Sequence, residues 1–239
     1  MIRCFLCFVC LSCFALPALA QGGSAPRTAK HPNEASAYRA NPRYNHMVRQ
    51  AEAERSPYFD FTYFRRYYTQ TRQFDPLGDR AMESLLRLSY EAENAQNEEE
   101  SIRAFAAFRV LAKDHLANLR IVLYALSLSR SDKRYGDPAL YAWVRDGLIE
   151  DVIVSGNGES LQQAYDVITP AEETALFSRL GVTPVKTENK IAGSHRYNVH
   201  VVRDEKTGTR RRLFIDTTFP VKFLEKQQKS IFSLGVNKQ

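Results

Sequence analysis

The spacing of apolar residues changes once along this chain, near residues 156–158. Upstream, apolar residues recur every three or four positions, and in "YFDFTYFRRYY" Phe61, Phe64 and Tyr68 share one helix face. Downstream, "HRYNVHVV" alternates apolar and polar residues, which is typical of a strand. The change predicts an α+β fold, in which N-terminal helical hairpins are followed by a small antiparallel-sheet unit with one helix.

Residues 56–155 are predicted to form the helical region. Asn97 followed by Glu100 makes a capping pair, and Asp137 before Pro138 is a second helix start. Leu86 and Val122 lie 36 residues apart, close to the period of about 34 in tetratricopeptide repeats. A tetratricopeptide-like helix pair and an ordinary bundle of helical hairpins both fit this pattern.

Residues 160–235 are predicted to form the α+β unit. Thr169-Pro170-Ala171-Glu172 is a capping box with proline at the first helical position, and Gly181 ends that helix. Pro184 places the next strand at a sheet edge. "DEKTG" is a hairpin turn with Gly208 in the left-handed conformation.

The N-terminus has the sequence pattern of an export signal. Residues 1–20 combine Arg3, an apolar run and a small-x-small ending, which predicts a cleaved signal peptide, with an uncleaved anchor as the alternative. We therefore expect a periplasmic or secreted protein with no stable transmembrane span after cleavage. Residues 21–55, rich in Gly, Ser, Ala, Pro and charge, are predicted to be a flexible leader.

All four cysteines lie within the predicted signal peptide. The chain after cleavage would have no disulfide, no thiol nucleophile and no thiolate ligand for zinc. The formal net charge of +6 favours attraction to anionic surfaces, or simple solubility, over binding to nucleic acid.

Four segments resemble a known family: "FDFTYFRRYYTQTRQFDPLGD", "LAKDHLANLRIVLYAL", "DGLIEDVIVSGNGESLQQAYDVITPAEE" and "LFIDTTFPVKFLEKQ". Over residues 58–228 the chain resembles the exported bacterial domain-of-unknown-function family four-nine-one-nine. The resemblance implies a helical half and a small β half in an exported bacterial protein, and it implies no activity. The family usually has Gly-Asp-Gly where this chain has Gly156-Asn157-Gly158, a departure that removes a carboxylate and argues against a metal there.

The loop "VSGNGESLQQAY" has two glycines but matches no phosphate-binding template. Counting from Gly156, Leu161 and Gln162 occupy the positions where a P-loop needs glycine and lysine. A dinucleotide fingerprint also needs glycine at position 161. The loop is therefore predicted to be a helix end and a turn in which Gly156 or Gly158 has a positive φ, and no cofactor is expected.

The histidines form no metal motif. His195 and His200 are five residues apart on a predicted strand, so they point to opposite faces. Ser194, His195 and Asp216 could be assembled into a triad, but no nucleophile elbow marks the serine. We therefore assign no catalytic, cofactor-binding or metal-binding residue.

Two basic stretches could bind a partner. "FRRYY" at residues 64–68 favours an aromatic core face with arginines outside, the alternative being a surface that binds rings and anions. A second cluster around the hairpin turn is the candidate anion or partner surface: Arg203, Lys206, Arg210, Arg211 and Arg212.

The sequence supports two functional hypotheses. The first is an exported, non-enzymatic binding or scaffold protein of unknown ligand, with a protein or peptide partner and no nucleic acid. The alternative is an uncharacterised periplasmic hydrolase with a site between the two halves, using His195 or His200 with a carboxylate.

Overall fold

A computed structural model describes residues 41–235, with side chains described to residue 229. The predicted signal peptide and residues 21–40 of the predicted leader lie outside the described residues. The helices are α1 (Pro42–Ala53), α2 (Phe61–Thr69), α3 (Asp79–Glu93), α4 (Glu98–Asp114), α5 (Leu119–Ser131), α6 (Pro138–Val154), α7 (Pro170–Leu180) and α8 (Thr218–Gly235). The strands are β1 (Tyr165–Asp166), β2 (Val182–Ala192), β3 (His195–Asp204) and β4 (Arg210–Asp216).

The first six helices form the helical half, and local capping sets their ends. The Asn97 side chain accepts a hydrogen bond from the Glu100 N–H at 2.9 Å, as predicted. Asp137 caps α6 in the same way, with Pro138 at the first position. Helix α3 packs against α4, and α5 packs against α6. The tetratricopeptide-like arrangement stays a prediction.

Helix α1 corrects one prediction. A flexible leader over residues 21–55 is wrong for residues 42–53, which form a regular helix. Its buried residues Tyr44, Met47 and Ala51 follow helical spacing, and the Tyr44 ring stacks on Phe64 at 5.3 Å. Only three of its apolar residues are buried, and they stand among many polar ones, so the sequence pattern was weak. Packing, rather than its own propensity, stabilises this helix.

The C-terminal part confirms the α+β fold. Its sheet has the order β1-β4-β3-β2, and all neighbours are antiparallel except β1 and β4. The sheet is thus mixed, and α8 is a helix of this part in addition to α7. The strand with Pro184 lies at the sheet edge, as predicted, and Gly181 ends α7 with φ +63°.

Two hydrophobic clusters each contain residues from both parts of the chain. The larger cluster fills the helical half, includes Ile168, and is packed by Ala171 and Ala175 of α7 and by Phe219 and Phe223 of α8. A smaller cluster lies between α6, α7 and one face of the sheet: Val152, Tyr165, Val167, Leu176, Val182, Val202, Leu213 and Ile215. The boundary between the predicted regions 56–155 and 160–235 stays a prediction. Because residues of both regions pack together in these clusters, any cleft between the regions has packed side chains beneath it.

The loop after α6 closes on itself. The N–H groups of Asn157 and Gly158 both donate to the Gln163 carbonyl, at 3.0 and 2.8 Å, and Gly158 has φ +70°. A Cβ at Gly156 would lie 2.5 Å from that same carbonyl oxygen. Because these amides are used inside the turn, the loop has the conformation predicted for it and no free amide cradle at those two positions.

Candidate functional site

A buried arginine joins the two halves. Arg65 of α2 donates to both carboxylate oxygens of Glu172 in α7, at 3.1 and 2.9 Å, and to Asp151 of α6 at 2.5 Å. It also donates to the main-chain carbonyl of Asp166 in β1, at 2.7 Å. Only 2% of the Arg65 side chain and 0% of the Glu172 side chain are exposed. One guanidinium therefore fixes α2 against three elements.

The prediction that the arginines of "FRRYY" lie outside the core is wrong for Arg65. Phe64 and Tyr68 are buried as predicted, but Arg65 is buried beside them. Its acidic partners Asp151 and Glu172 lie 86 and 107 residues further along the chain. From the local sequence alone, an arginine is expected to be exposed to solvent. Burial of this charge is compensated by carboxylates that are far away in the sequence.

Burial and charge act in opposite directions on the pKa values of Arg65 and Glu172. Burial opposes the charge of Arg65, but Glu172, Asp151 and Asp166 raise the pKa of the guanidinium above its ordinary value. Burial raises the pKa of Glu172, and Arg65 acts against that shift. The carboxylate also accepts the Ile168 N–H at 2.7 Å, so its charge is held by three hydrogen bonds. These bonds hold α2 in place, and the α2 residues Arg66 and Thr69 line the space beside it.

That space is a groove of about 1180 Å³. It lies between the C-terminal end of α2 with its following loop, the start of α8, the 161–164 loop and the β1–β4–β3 edge. Its basic residues are Arg66, Arg72, Lys222 and Lys226. Its aromatic residues are Phe74, Phe219, Phe223 and Tyr197. This groove is the candidate functional site.

Aromatic rings and cations lie together along one wall of the groove. The Arg66 guanidinium lies over the Phe219 ring at 4.8 Å, and Phe74 meets Phe223 edge to face at 5.4 Å. Lys222 and Lys226 are one helical turn apart on α8 and are exposed. Neither these lysines nor Arg72 has an ion pair among the described residues. The groove thus combines apolar surface with uncompensated positive charge.

The sequence pattern did not predict this wall. Arg72 and the two lysines of α8 are 150 or more residues apart in the sequence, and the contact between Phe74 and Phe223 brings them together. The only local signal is the repeat of Phe219 and Phe223 with Lys222 and Lys226 at helical spacing. That repeat could have predicted an amphipathic helix, but it could not have shown what the helix faces.

Two aspartates lie on the floor of the groove. Asp166 and Asp216 are direct neighbours in the parallel β1–β4 pair, so their side chains share one face. Asp166 accepts from Arg66 at 2.6 Å; burial raises the pKa of Asp166, and Arg65 and Arg66 act against that rise. Asp216 lies 2.7 Å from Nδ1 of His195. Each carboxylate already has a cationic or histidine partner.

The structure brings together two of the three residues that the sequence could assemble into a triad without marking the serine as a nucleophile. His195 and Asp216 are in contact and both line the groove. Ser194 is exposed, is not part of the groove lining, and makes no hydrogen bond among the described residues. The Thr218 hydroxyl lies 3.4 Å from the same Nδ1 atom. Within residues 41–235, Nε2 of His195 makes no hydrogen bond. No serine or threonine hydroxyl of these residues is therefore positioned to give its proton to Nε2.

His200 points to the other face of the sheet, as the alternation predicted. Its Nδ1 lies 2.9 Å from the Thr187 hydroxyl, and its ring meets Phe177 of α7 edge to face at 4.9 Å. Its Nε2 lies 2.9 Å from Glu173, at an angle that does not make a hydrogen bond. His200 is buried outside the groove, so only His195 of the two can serve a groove chemistry.

The basic hairpin cluster is exposed around the β3–β4 turn, where Gly208 has φ +71°. Within the described part of the chain none of Arg203, Lys206, Arg210, Arg211 and Arg212 forms an ion pair. Arg211 pairs with buried Val202 in the ladder, whereas Arg210 pairs with Arg203. Arg211 therefore lies on the opposite sheet face from Arg203, Arg210 and Arg212, and the five residues do not form one surface.

Across residues 41–235 no group of three or more His, Asp or Glu side chains could hold a metal ion. Over the same residues no helix has the length and apolar character needed to cross a bilayer. No family model, curated protein or solved structure matches this chain. The resemblance to the exported bacterial family stays a prediction.

Proposed function

We propose that this chain is an exported, non-enzymatic binding protein that works in the periplasm or outside the cell. Its ligand is an acidic segment of a partner protein, bound in the groove between the two halves. The observation that carries the proposal is the uncompensated charge of the groove. Four basic side chains line it against two aspartates, and both aspartates already have partners.

The lining also fits the apolar part of a peptide. Phe74, Phe219 and Phe223 form one wall, and apolar surface with a few placed charges is the usual composition of a ligand site. The buried Arg65 network fixes α2 beside the groove, so the site is formed before the ligand arrives. Basic residues at the rim would speed association with an acidic partner.

Titration with a labelled acidic peptide tests the proposal. The probe is a peptide of alternating glutamate and serine of about four residues, which spans about 13 Å when extended. Lys222→Glu/Lys226→Glu should weaken its binding at least about tenfold, and binding to the unaltered protein should weaken as salt is added. Fluorescence anisotropy measures both effects.

The matched control changes net charge equally outside the groove. Lys133→Glu/Lys229→Glu reverses two exposed lysines that do not line it, and it should bind the peptide as the unaltered protein does. Equal losses in the two double variants would show that net charge alone attracts the peptide. Absence of binding to the unaltered protein would exclude the proposed function.

The His195–Asp216 contact favours a second function, hydrolysis by an activated water. Asp216 would orient the imidazole through Nδ1, and Nε2 would take a proton from water as its oxygen bonds to a carbonyl carbon of the substrate. The proton would then pass to the leaving group. Hydrolysis of p-nitrophenyl acetate tests this: His195→Ala and Asp216→Asn should each lower the rate about a hundredfold, while His46→Ala should not. A rate equal to that of buffer, or unchanged in His195→Ala, excludes it.

A further inference from the structure

The groove opens onto one face of the sheet. Beyond the end of the groove, none of the described helices has a recorded side-chain contact with this face. The ladder places residues in rows across β2, β3 and β4: Lys190–Tyr197–Asp216, Glu188–Val199–Phe214, Lys186–Val201–Arg212 and Thr183–Arg203–Arg210. Members of a row share a face. We call the face carrying these rows the open sheet face. The opposite face bears His200, Val202, Leu213 and Ile215 and packs against α6 and α7.

The open sheet face is continuous with the groove floor. Tyr197 and Asp216, which form its first row with Lys190, both line the groove. From Tyr197 the face continues along β3 to Arg203, six residues on, a distance of about 20 Å. A ligand long enough to extend beyond the groove would therefore lie on the open sheet face.

Positive charge continues along this face. Lys190, Arg203, Arg210 and Arg212 have no ion pair among the described residues and are exposed. The one acidic residue within the four rows outside the groove is Glu188, 2.7 Å from Lys186, and this hydrogen bond, with Arg212 nearby, lowers the pKa of Glu188. The charge of Glu188 is thus neutralised by Lys186, whereas the four cations without an ion pair have no neighbouring carboxylate among residues 41–229 that neutralises them.

The spacing of these cations matches an extended chain. Arg210 and Arg212 are two residues apart on one strand, so their side chains leave the face about 7 Å apart. Side chains on one side of an extended peptide repeat at the same distance. A flat anionic surface would fit less well, because α2 and α8 form walls above the floor at the groove end.

We propose that the ligand is an extended acidic peptide that begins in the groove and continues across the open sheet face. This inference rests on the proposed binding function and adds to it the length and direction of the bound segment. Arg203, Arg210 and Arg212 then contact the part of the peptide that lies beyond the groove.

Peptides of two lengths separate the two sites. The probes are labelled peptides of alternating glutamate and serine of about four and about twelve residues, the longer spanning about 40 Å. The unaltered protein should bind the longer one at least about tenfold more tightly, the combined effect expected of two or three exposed ion pairs. Arg203→Glu/Arg210→Glu/Arg212→Glu should remove that gain and leave binding of the shorter peptide unchanged.

A control with equal charge change is Arg49→Glu/Arg130→Glu/Arg179→Glu, which reverses three exposed arginines away from both sites. It should keep the gain, and circular dichroism should show that both triple variants are folded. Equal affinity for the two peptides would overturn the inference and leave the groove proposal standing. Absence of binding to either peptide would overturn both. The variant Arg203→Glu/Arg210→Glu/Arg212→Glu could instead lose binding to vesicles containing phosphatidylglycerol while its peptide binding stays unchanged. That result would identify a membrane surface as the ligand of the open sheet face and overturn the inference.

Discussion

At the scale of single residues, the buried Arg65 side chain makes four hydrogen bonds, to α6, α7 and β1. Replacing it with methionine would leave the Glu172 carboxyl buried and without its arginine partner. Breaking a buried ion pair by removing one member costs about 3–5 kcal/mol. We expect Arg65→Met to lower the free energy of unfolding by about that amount, measured by urea denaturation.

The matched variant is Arg87→Met, which breaks an exposed pair with Glu91 on α3. Exposed pairs one helical turn apart contribute about 0.3–0.5 kcal/mol, so this change should be close to neutral. Similar losses in Arg65→Met and Arg87→Met would contradict the role assigned to the buried network.

His115 is a second residue whose burial has a measurable consequence. It is buried at the end of α4, its Nδ1 lies 2.8 Å from the Tyr68 hydroxyl, and Asp75 and Arg80 lie nearby. Burial lowers its pKa to about 4, against about 6.5 in an unfolded chain. Between those values the unfolded chain binds a proton that the folded one does not, so stability is present above pH 6.5 and is lost as the pH falls towards 4.

We expect this one histidine to account for a loss of about 3 kcal/mol between pH 6.5 and 4. His115→Gln should flatten the dependence of unfolding free energy on pH over that range by about one proton, in urea denaturation at a series of pH values. His46→Gln, at an exposed position on α1, should keep the original slope. If His115→Gln keeps that slope too, the histidine is protonated in the folded protein.

At the scale of elements, the crossing of α2 and α6 depends on Gly147. A Cβ at this position would lie 2.0 Å from the Phe61 ring. Alanine would ordinarily stabilise a helix over glycine by about 1 kcal/mol, but here the ring must move, and overpacking costs about 1–3 kcal/mol. Gly147→Ala should therefore destabilise the protein. In a Phe61→Ala background the same change should become neutral or favourable, and a double-mutant cycle by urea denaturation measures the difference.

Element boundaries were predicted where local chemistry decides them. The caps at Asn97 and Asp137 and the left-handed glycines 181 and 208 depend on neighbouring residues alone, and all four are where the sequence placed them. The opposite directions of His195 and His200 follow equally from the pleat of a strand.

Other features depend on residues far away in the chain and were missed. Helix α1 needs the core that Tyr44 enters, and the parallel pairing of β1 needs β4, which follows 44 residues after Asp166. The groove has the same origin, because Arg72 meets the α8 lysines only through packing. The sequence could predict the His195–Asp216 contact as one combination among several, and strand register decided it.

At the scale of the whole molecule, the two halves share interior contacts of two kinds. Apolar residues of α7 and α8 pack into the core of the helical half, and Arg65 bonds across to β1 and α7. Neither half can lose its structure without exposing apolar surface and a buried charge on the other. This coupling also keeps the groove walls in place, since α2 and α8 belong to different halves.

We therefore expect the halves to unfold in one cooperative transition. Trp143, the single tryptophan, packs against Phe59 and Phe61 in the helical half and reports on that half. A fluorophore on Lys190→Cys, exposed on β2, reports on the sheet. The two signals should give the same urea midpoint and slope, and Arg65→Met should move both midpoints together. Separate midpoints would show that the predicted regions 56–155 and 160–235 are independent domains, and the groove between them would then open and close as they move.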